Sequence, residues 1–129
     1  MAAIWEEPND NIKIIARIED TFTRKNLPND HPLVDEIQDF VWFELHDLCS
    51  RVNIEKLSRD TQMSAFNQIS KLLTLRLMSP VQITDVSIFK NHFNFDEQLS
   101  IGIIVKLNES QVQTPEQRII DDAIGILNR

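Results

Sequence analysis

Glycine is scarce in this sequence, which contains only Gly102 and Gly125. Phosphate-binding loops, dinucleotide fingerprints and nucleophile elbows all require two or more glycines within a few residues of each other. The two glycines are far apart in the chain, so none of these motifs can be formed. The sequence therefore argues against an enzyme that binds a nucleotide, and it predicts no cofactor.

Cysteine is scarcer still, because Cys49 is the only one and no disulfide can form within the chain. A chain without disulfides suits a reducing compartment, so we expect a cytoplasmic protein. No apolar run approaches the ~20 residues of a membrane-spanning helix. The first ten residues also lack a basic region followed by an apolar one. We therefore expect no association with a membrane.

Basic residues are outnumbered, with 13 lysines and arginines against 20 aspartates and glutamates and a net charge of −7. Nucleic-acid binding requires clustered Lys and Arg, so we predict no direct contact with nucleic acid. The acids concentrate in residues 31–52, where Arg51 is the only cation, whereas residues 53–80 have an excess of cations. Either these two segments neutralise each other within the fold, or the first presents an acidic face to a basic partner.

The strongest helical pattern covers residues 32–52 and begins with a proline, which the first turn of a helix tolerates. Glu44 falls on the apolar side of this helix, and a buried carboxylate there would need Arg51, Arg59 or Arg76 as a partner. The apolar side comprises Leu33, Val34, Ile37, Phe40, Val41, Leu45, Leu48 and Val52.

Two aromatic residues, Trp42 and Phe43, fall on the opposite side of this helix among the carboxylates. Either another helix covers both rings and buries the helix centrally, or the rings are the anchors of a partner surface. A surface of this kind, ringed by acids, would favour a basic partner. The candidate partner-binding residues are Trp42, Phe43, Asp35, Asp39, His46 and Asp47.

The segment before this helix has two possible structures. Apolar residues spaced from Ile14 to Phe22 favour a first helix, with Asn9 or Asp10 as its cap. Residues 12–18 also alternate between apolar and polar side chains, which would suit a strand. We favour the helix because the apolar spacing continues to Phe22.

The segment after it contains a third helix, a hairpin and a closing helix. The third helix has Asn53 or Ser58 as a possible cap and ends before Pro80. Residues 82–89 and 98–107 are predicted to form a β-hairpin, and residues 115–128 a C-terminal helix. The fold class is α+β: a small, mostly helical single domain over residues 1–129, with about three N-terminal helices.

Catalytic and metal-binding residues are not predicted. His46 and Cys49 lie three residues apart on the same helix and could both reach one metal ion, with Asp35 and Asp39 nearby. The other histidines, His31 and His92, are isolated, so a solvated acidic face is the simpler interpretation. A Cys–His nucleophilic pair is disfavoured, because a base three positions away on one helix rarely has the geometry for attack.

By elimination, the sequence favours a non-enzymatic module for protein binding. Its partner would be a larger basic protein of the kind that handles nucleic acid, such as a polymerase or a nuclease, which it inhibits or adapts. One alternative is an assembly subunit that forms a homo-oligomer. A second alternative is a small metal-assisted enzyme that uses His46, Cys49 and nearby acids.

Overall fold

The computed structural model describes residues 11–93 and 96–112, which form two helices on one face of a four-stranded sheet. Two short 3-10 helices are also present: Ile54–Lys56 lies between the two long helices, and Glu109–Gln111 follows the last strand. In chain order the larger elements are β1 (Ile12–Asp20), β2 (Lys25–Asn26), α1 (Pro32–Arg51), α2 (Arg59–Leu77), β3 (Val81–Phe93) and β4 (Asp96–Leu107).

The sheet has the strand order β2-β1-β4-β3. Strands β3 and β4 form an antiparallel hairpin, and β2 pairs antiparallel with the end of β1. Strand β1 instead runs parallel to β4, with Ile12 opposite Leu99 and Asp20 opposite Leu107. This parallel pairing makes β4 a central strand, buried on the side that faces the helices.

The prediction of a helix over residues 12–22 is wrong, because residues 12–20 form β1. The alternating pattern matches the structure: Ile12, Ile14, Ala16 and Ile18 are buried against the helices, while the residues between them face away. Phe22, whose spacing favoured the helix, is 80% exposed and contributes nothing to the core. The structure thus has two long helices before the hairpin, where about three were predicted, and a four-stranded mixed sheet where a mostly helical domain with one hairpin was predicted.

The predictions for the other elements are met where the structure describes them. Helix α1 begins at Pro32, and the His31 side chain accepts a hydrogen bond from the backbone N–H of Leu33 at 3.1 Å. Helix α2 is capped by Ser58, whose hydroxyl accepts from the N–H of Thr61 at 3.2 Å. The hairpin extends beyond the predicted residues 82–89 and 98–107 in both strands. The predicted C-terminal helix, residues 115–128, lies outside the described residues.

The core lies between the helices and the sheet. It takes Val41 and Leu45 from α1, Phe66 and Leu73 from α2, and the inward side chains of the three long strands. Neither helix in the described part of the chain is both long and apolar enough to cross a membrane.

Side chains of α1 cover the outer edge of β1, where only the last two residues pair with β2. The Gln38 side-chain oxygen accepts a hydrogen bond from the N–H of Ala16 at 3.0 Å. The indole N–H of Trp42 donates to the carbonyl of Ile12 at 3.2 Å. These contacts occupy backbone groups that an edge strand otherwise offers to another strand.

Side chains of α2 do the same for the outer edge of β3. The hydroxyl of Thr74 accepts from the N–H of Val81 at 3.0 Å, and that of Ser70 accepts from the N–H of Ile83 at 3.0 Å. Beyond an irregularity in strand register between Ile83 and Asp85, Arg59 donates to the carbonyl of Val86. Side chains of each helix therefore form hydrogen bonds with the backbone of one edge strand of the sheet.

Candidate functional site

An open groove of about 600 Å³ lies between α1 and α2 on the helical side of the molecule. Of the lining residues in the described part of the chain, α2 supplies Arg76 and α1 supplies the rest. The groove is lined by Glu36, Asp39, Phe40, Phe43, Glu44 and Arg76. Three of these six side chains are carboxylates and two are phenylalanines, so the groove combines negative charge with aromatic surface.

The spacing of residues on α1 explains why these side chains lie together. Residues three and four apart share one side of a helix, so Glu36, Phe40, Phe43 and Glu44 form one strip. This strip runs beside the buried positions Ile37, Val41 and Leu45 that face the sheet. The groove side chains therefore flank the core, and they are only partly covered by α2.

Arg76 occupies one end of the groove and binds both an acid and an aromatic ring. Its Nε lies 3.5 Å from the Glu36 carboxylate, and its guanidinium carbon lies 5.5 Å from the centre of the Phe40 ring. An arginine over a ring at this distance is stabilised by a cation–π interaction. Glu36 is the more buried partner of the ion pair, with 24% of its side chain exposed. Arg76 therefore compensates the charge of a partly buried carboxylate of the groove.

At the other end of the groove the described residues supply no such cation. Phe43 is 72% exposed, Asp39 is exposed and Glu44 is half-buried. Within residues 11–93 and 96–112, neither Asp39 nor Glu44 forms a hydrogen bond or an ion pair. A large aromatic ring and two uncompensated carboxylates are thus presented to solvent together.

The expectation that Glu44 is buried and paired with an arginine is wrong. Glu44 lines the groove, where it remains partly exposed to solvent. Each proposed partner binds another acid: Arg51 contacts Asp47 at 2.7 Å, Arg59 contacts Asp85, and Arg76 contacts Glu36. Glu44 lies at the border of the apolar side of α1.

Trp42 lies on the other flank of α1, and the structure separates it from Phe43. Its ring is 38% exposed, it bonds to the start of β1, and it packs on His46 with 4.7 Å between ring centres. The interpretation in which another helix covers both rings fits neither residue among those described, because both rings are exposed and Trp42 contacts a strand. Trp42 is held against the sheet edge, whereas Phe43 is presented to solvent.

The six candidate partner-binding residues do not form one cluster. Phe43 and Asp39 line the groove, while Trp42 and His46 lie at the edge of β1. The remaining two, Asp35 and Asp47, are exposed outside the groove lining, and Asp47 is paired with Arg51.

Phe40 and Arg76 of the groove were missed by the sequence analysis, which assigned Phe40 to the core and did not link Arg76 to the groove. The four-residue spacing of Glu36, Phe40 and Glu44 was the available signal for the strip.

His46 and Cys49 do not come together as ligands. Cys49 is fully buried, and burial together with the nearby negative charge of Glu55 raises the pKa of its thiol to about 11. His46 packs on Trp42 instead. Among the described residues, no group of three or more His, Cys, Asp or Glu side chains has an arrangement that could hold a metal ion. The Cys49 side chain is a protonated core thiol at neutral pH.

The raised pKa of Cys49 predicts a loss of stability in alkali. The thiol ionises near pH 9 when unfolded and near 11 when folded, so its contribution is complete below pH 9 and declines as the pH rises to 11. Over this range we expect the free energy of unfolding of the unsubstituted chain to fall by about 1–2 kcal/mol more than the free energy of unfolding of the Cys49→Ala variant. Urea titrations of both proteins at several pH values measure the difference. Parallel curves for the two proteins would contradict the prediction.

Comparison of the chain with protein-family models, with curated proteins and with solved structures finds no match in any of the three.

Proposed function

We propose that this chain is a non-enzymatic protein-binding module that uses the groove between α1 and α2 to bind a basic surface of a larger protein. The observation that supports this proposal is the exposed ring of Phe43 beside Asp39 and Glu44, which have no cation partner in the described part of the chain. Aromatic side chains surrounded by polar groups are typical anchors of protein interfaces.

The charge of the chain favours the same class of partner. A net charge of −7 repels nucleic acid and attracts a protein whose surface is rich in Lys and Arg. Proteins that handle nucleic acid, such as polymerases and nucleases, have surfaces of this kind because they must neutralise phosphates. We infer that the chain inhibits or adapts such a protein, in a reducing, cytoplasmic environment that suits its single buried thiol.

The proposal predicts that removal of the Phe43 ring abolishes most partner binding without unfolding the chain. We expect Phe43→Ala to weaken binding by about 2 kcal/mol, or roughly 30-fold, as for an interface anchor. The immobilised full chain is used to retain proteins from a lysate of the source cells, with washes at increasing salt. The retained protein is identified, purified and titrated against each variant by calorimetry.

Phe89→Ala is the matched control, because Phe89 is also an exposed phenylalanine, at 61%, but lies on β3 outside the groove. It should retain the partner at wild-type strength. Asp39→Asn should mainly slow association, and its effect should decrease with salt. Equal loss for the two phenylalanine variants, or a partner without a basic surface, would overturn the proposal. A dimer of this chain that dissociates in Phe43→Ala would replace it with self-assembly.

A further inference from the structure

The groove contains an arginine-binding arrangement that is already occupied by Arg76. The guanidinium group of Arg76 lies over the Phe40 ring while its Nε contacts the Glu36 carboxylate. Glu36 and Phe40 are four residues apart on α1, so the acid and the ring are neighbours on the helix surface. An acid followed by a phenylalanine four residues later therefore forms one half of this contact, and an arginine completes it.

The same spacing recurs three residues further along α1. Asp39 and Phe43 are also an acid and a phenylalanine four residues apart, and both line the groove. Glu44, adjacent to Phe43, adds a second carboxylate to this repeat. In the described residues no lysine or arginine completes it, because neither acid forms an ion pair and the ring remains 72% exposed. Among the described residues, nothing supplies the second half of the contact.

We propose that this second acid–phenylalanine pair binds an arginine side chain of the partner, and that it prefers arginine to lysine. This inference rests on the proposed function, since it specifies the chemistry that the groove recognises. The partner's guanidinium group stacks on the Phe43 ring while its N–H groups bond to Asp39 and Glu44. The resulting contact repeats the one that Arg76 forms with Phe40 and Glu36.

The preference for arginine follows from the shapes and hydration of the two cations. A guanidinium group is planar and weakly hydrated, so it can lie flat on a ring and donate to a carboxylate at the same time. An ammonium group is compact and strongly hydrated, so it interacts with the carboxylates mainly as a point charge. Lysine therefore keeps the charge attraction but loses the stacking on Phe43.

Two synthetic peptides of equal charge test this preference. One has four Gly-Arg-Ser repeats and the other has four Gly-Lys-Ser repeats, and each is titrated into the isotope-labelled full chain by NMR. We expect the arginine peptide to bind about three- to fivefold more tightly, as for an exposed cation–π contact. The largest chemical-shift changes for the arginine peptide should occur at Asp39, Phe43 and Glu44.

Two variants connect the preference to the ring. Phe43→Leu keeps an apolar side chain but removes the aromatic face, so the two peptides should bind it equally. Phe89→Leu, on the sheet, should retain the preference. A preference that persists in Phe43→Leu, or shift changes centred outside the groove, would overturn the inference.

The failures of the inference and of the proposed function give different results. If both peptides bind the groove equally and Asp39→Asn weakens both, the arginine preference is wrong while an acidic docking groove stands. If neither peptide shifts the groove residues and Phe43→Ala still retains the cellular partner, both are wrong. Tighter binding of the arginine peptide, lost in Phe43→Leu, supports both.

Discussion

Replacement of Phe66 by alanine is expected to lower the free energy of unfolding by about 3–5 kcal/mol. Phe66 lies on α2, is completely buried and is among the largest side chains in the core. Its removal eliminates the burial of an aromatic ring and leaves a cavity that the packed helix and sheet can fill only in part. Because small domains are stable by about 5–15 kcal/mol, this is a large fraction of the total. Urea denaturation followed by circular dichroism measures the change.

Phe43→Ala is the matched control, since it removes the same ring from a position that is 72% exposed. We expect its effect on stability to remain within about 0.5 kcal/mol, as for other surface substitutions. Losses of similar size in the two variants would show that Phe43 is packed and that the groove is closed. The pair thus tests the helix orientation on which the binding proposal depends.

Replacement of Lys90 by methionine is expected to destabilise the fold by about 3 kcal/mol, the second largest effect. Glu55, in the short helix before α2, has two inaccessible carboxylate oxygens that accept no hydrogen bond within the described residues. The ammonium group of Lys90 on β3 lies 3.7 Å from one of them. Without it, the Glu55 charge is left buried and uncompensated, which costs far more than loss of a surface ion pair.

The double variant Glu55→Met/Lys90→Met separates this cause from simple loss of packing. It removes both charges and keeps similar volume, so it should be more stable than Lys90→Met alone. Glu97→Gln is a second control, because Glu97 also contacts Lys90, at 3.2 Å, but is 46% exposed. Its effect should be within about 1 kcal/mol. A double variant no more stable than Lys90→Met would show that the buried charge is not the cause.

The elements that can be predicted from this sequence are those with long, unambiguous periodicity. Helix α1 and the β3–β4 hairpin have such patterns, and their local signals agree with the fold. Residues 12–20 do not, since their isoleucines fit both a helix and a strand over this length. The structure of β1 is decided by β4, whose paired residues begin 87 positions later, at Leu99. No local pattern specifies that partner.

The sequence predicts which side chains of α1 lie outside the core, but it does not predict the contacts between α1 and α2 at the candidate site. The helical phase placed Phe43 outside the core, and the structure agrees. It also placed Trp42 outside the core, and its ring is 38% exposed, but it did not predict the bond from the indole N–H to the backbone of β1. The contact of Arg76 with Glu36 and Phe40 depends on how α2 lies along α1, which is a tertiary relation. Such register between elements is fixed by packing of both helices on the sheet.

The parallel pairing of β1 with β4 means that the sheet can form only late in the synthesis of this chain. Strand β1 is synthesised first, yet its paired residues on β4 begin only at Leu99. At about 5–20 residues per second, synthesis of the intervening chain takes on the order of ten seconds. During that interval the isoleucines of β1 have no sheet to join and remain available to chaperones or to neighbouring nascent chains. Nascent chains that stop before β4 should therefore be the form of this protein most prone to aggregate.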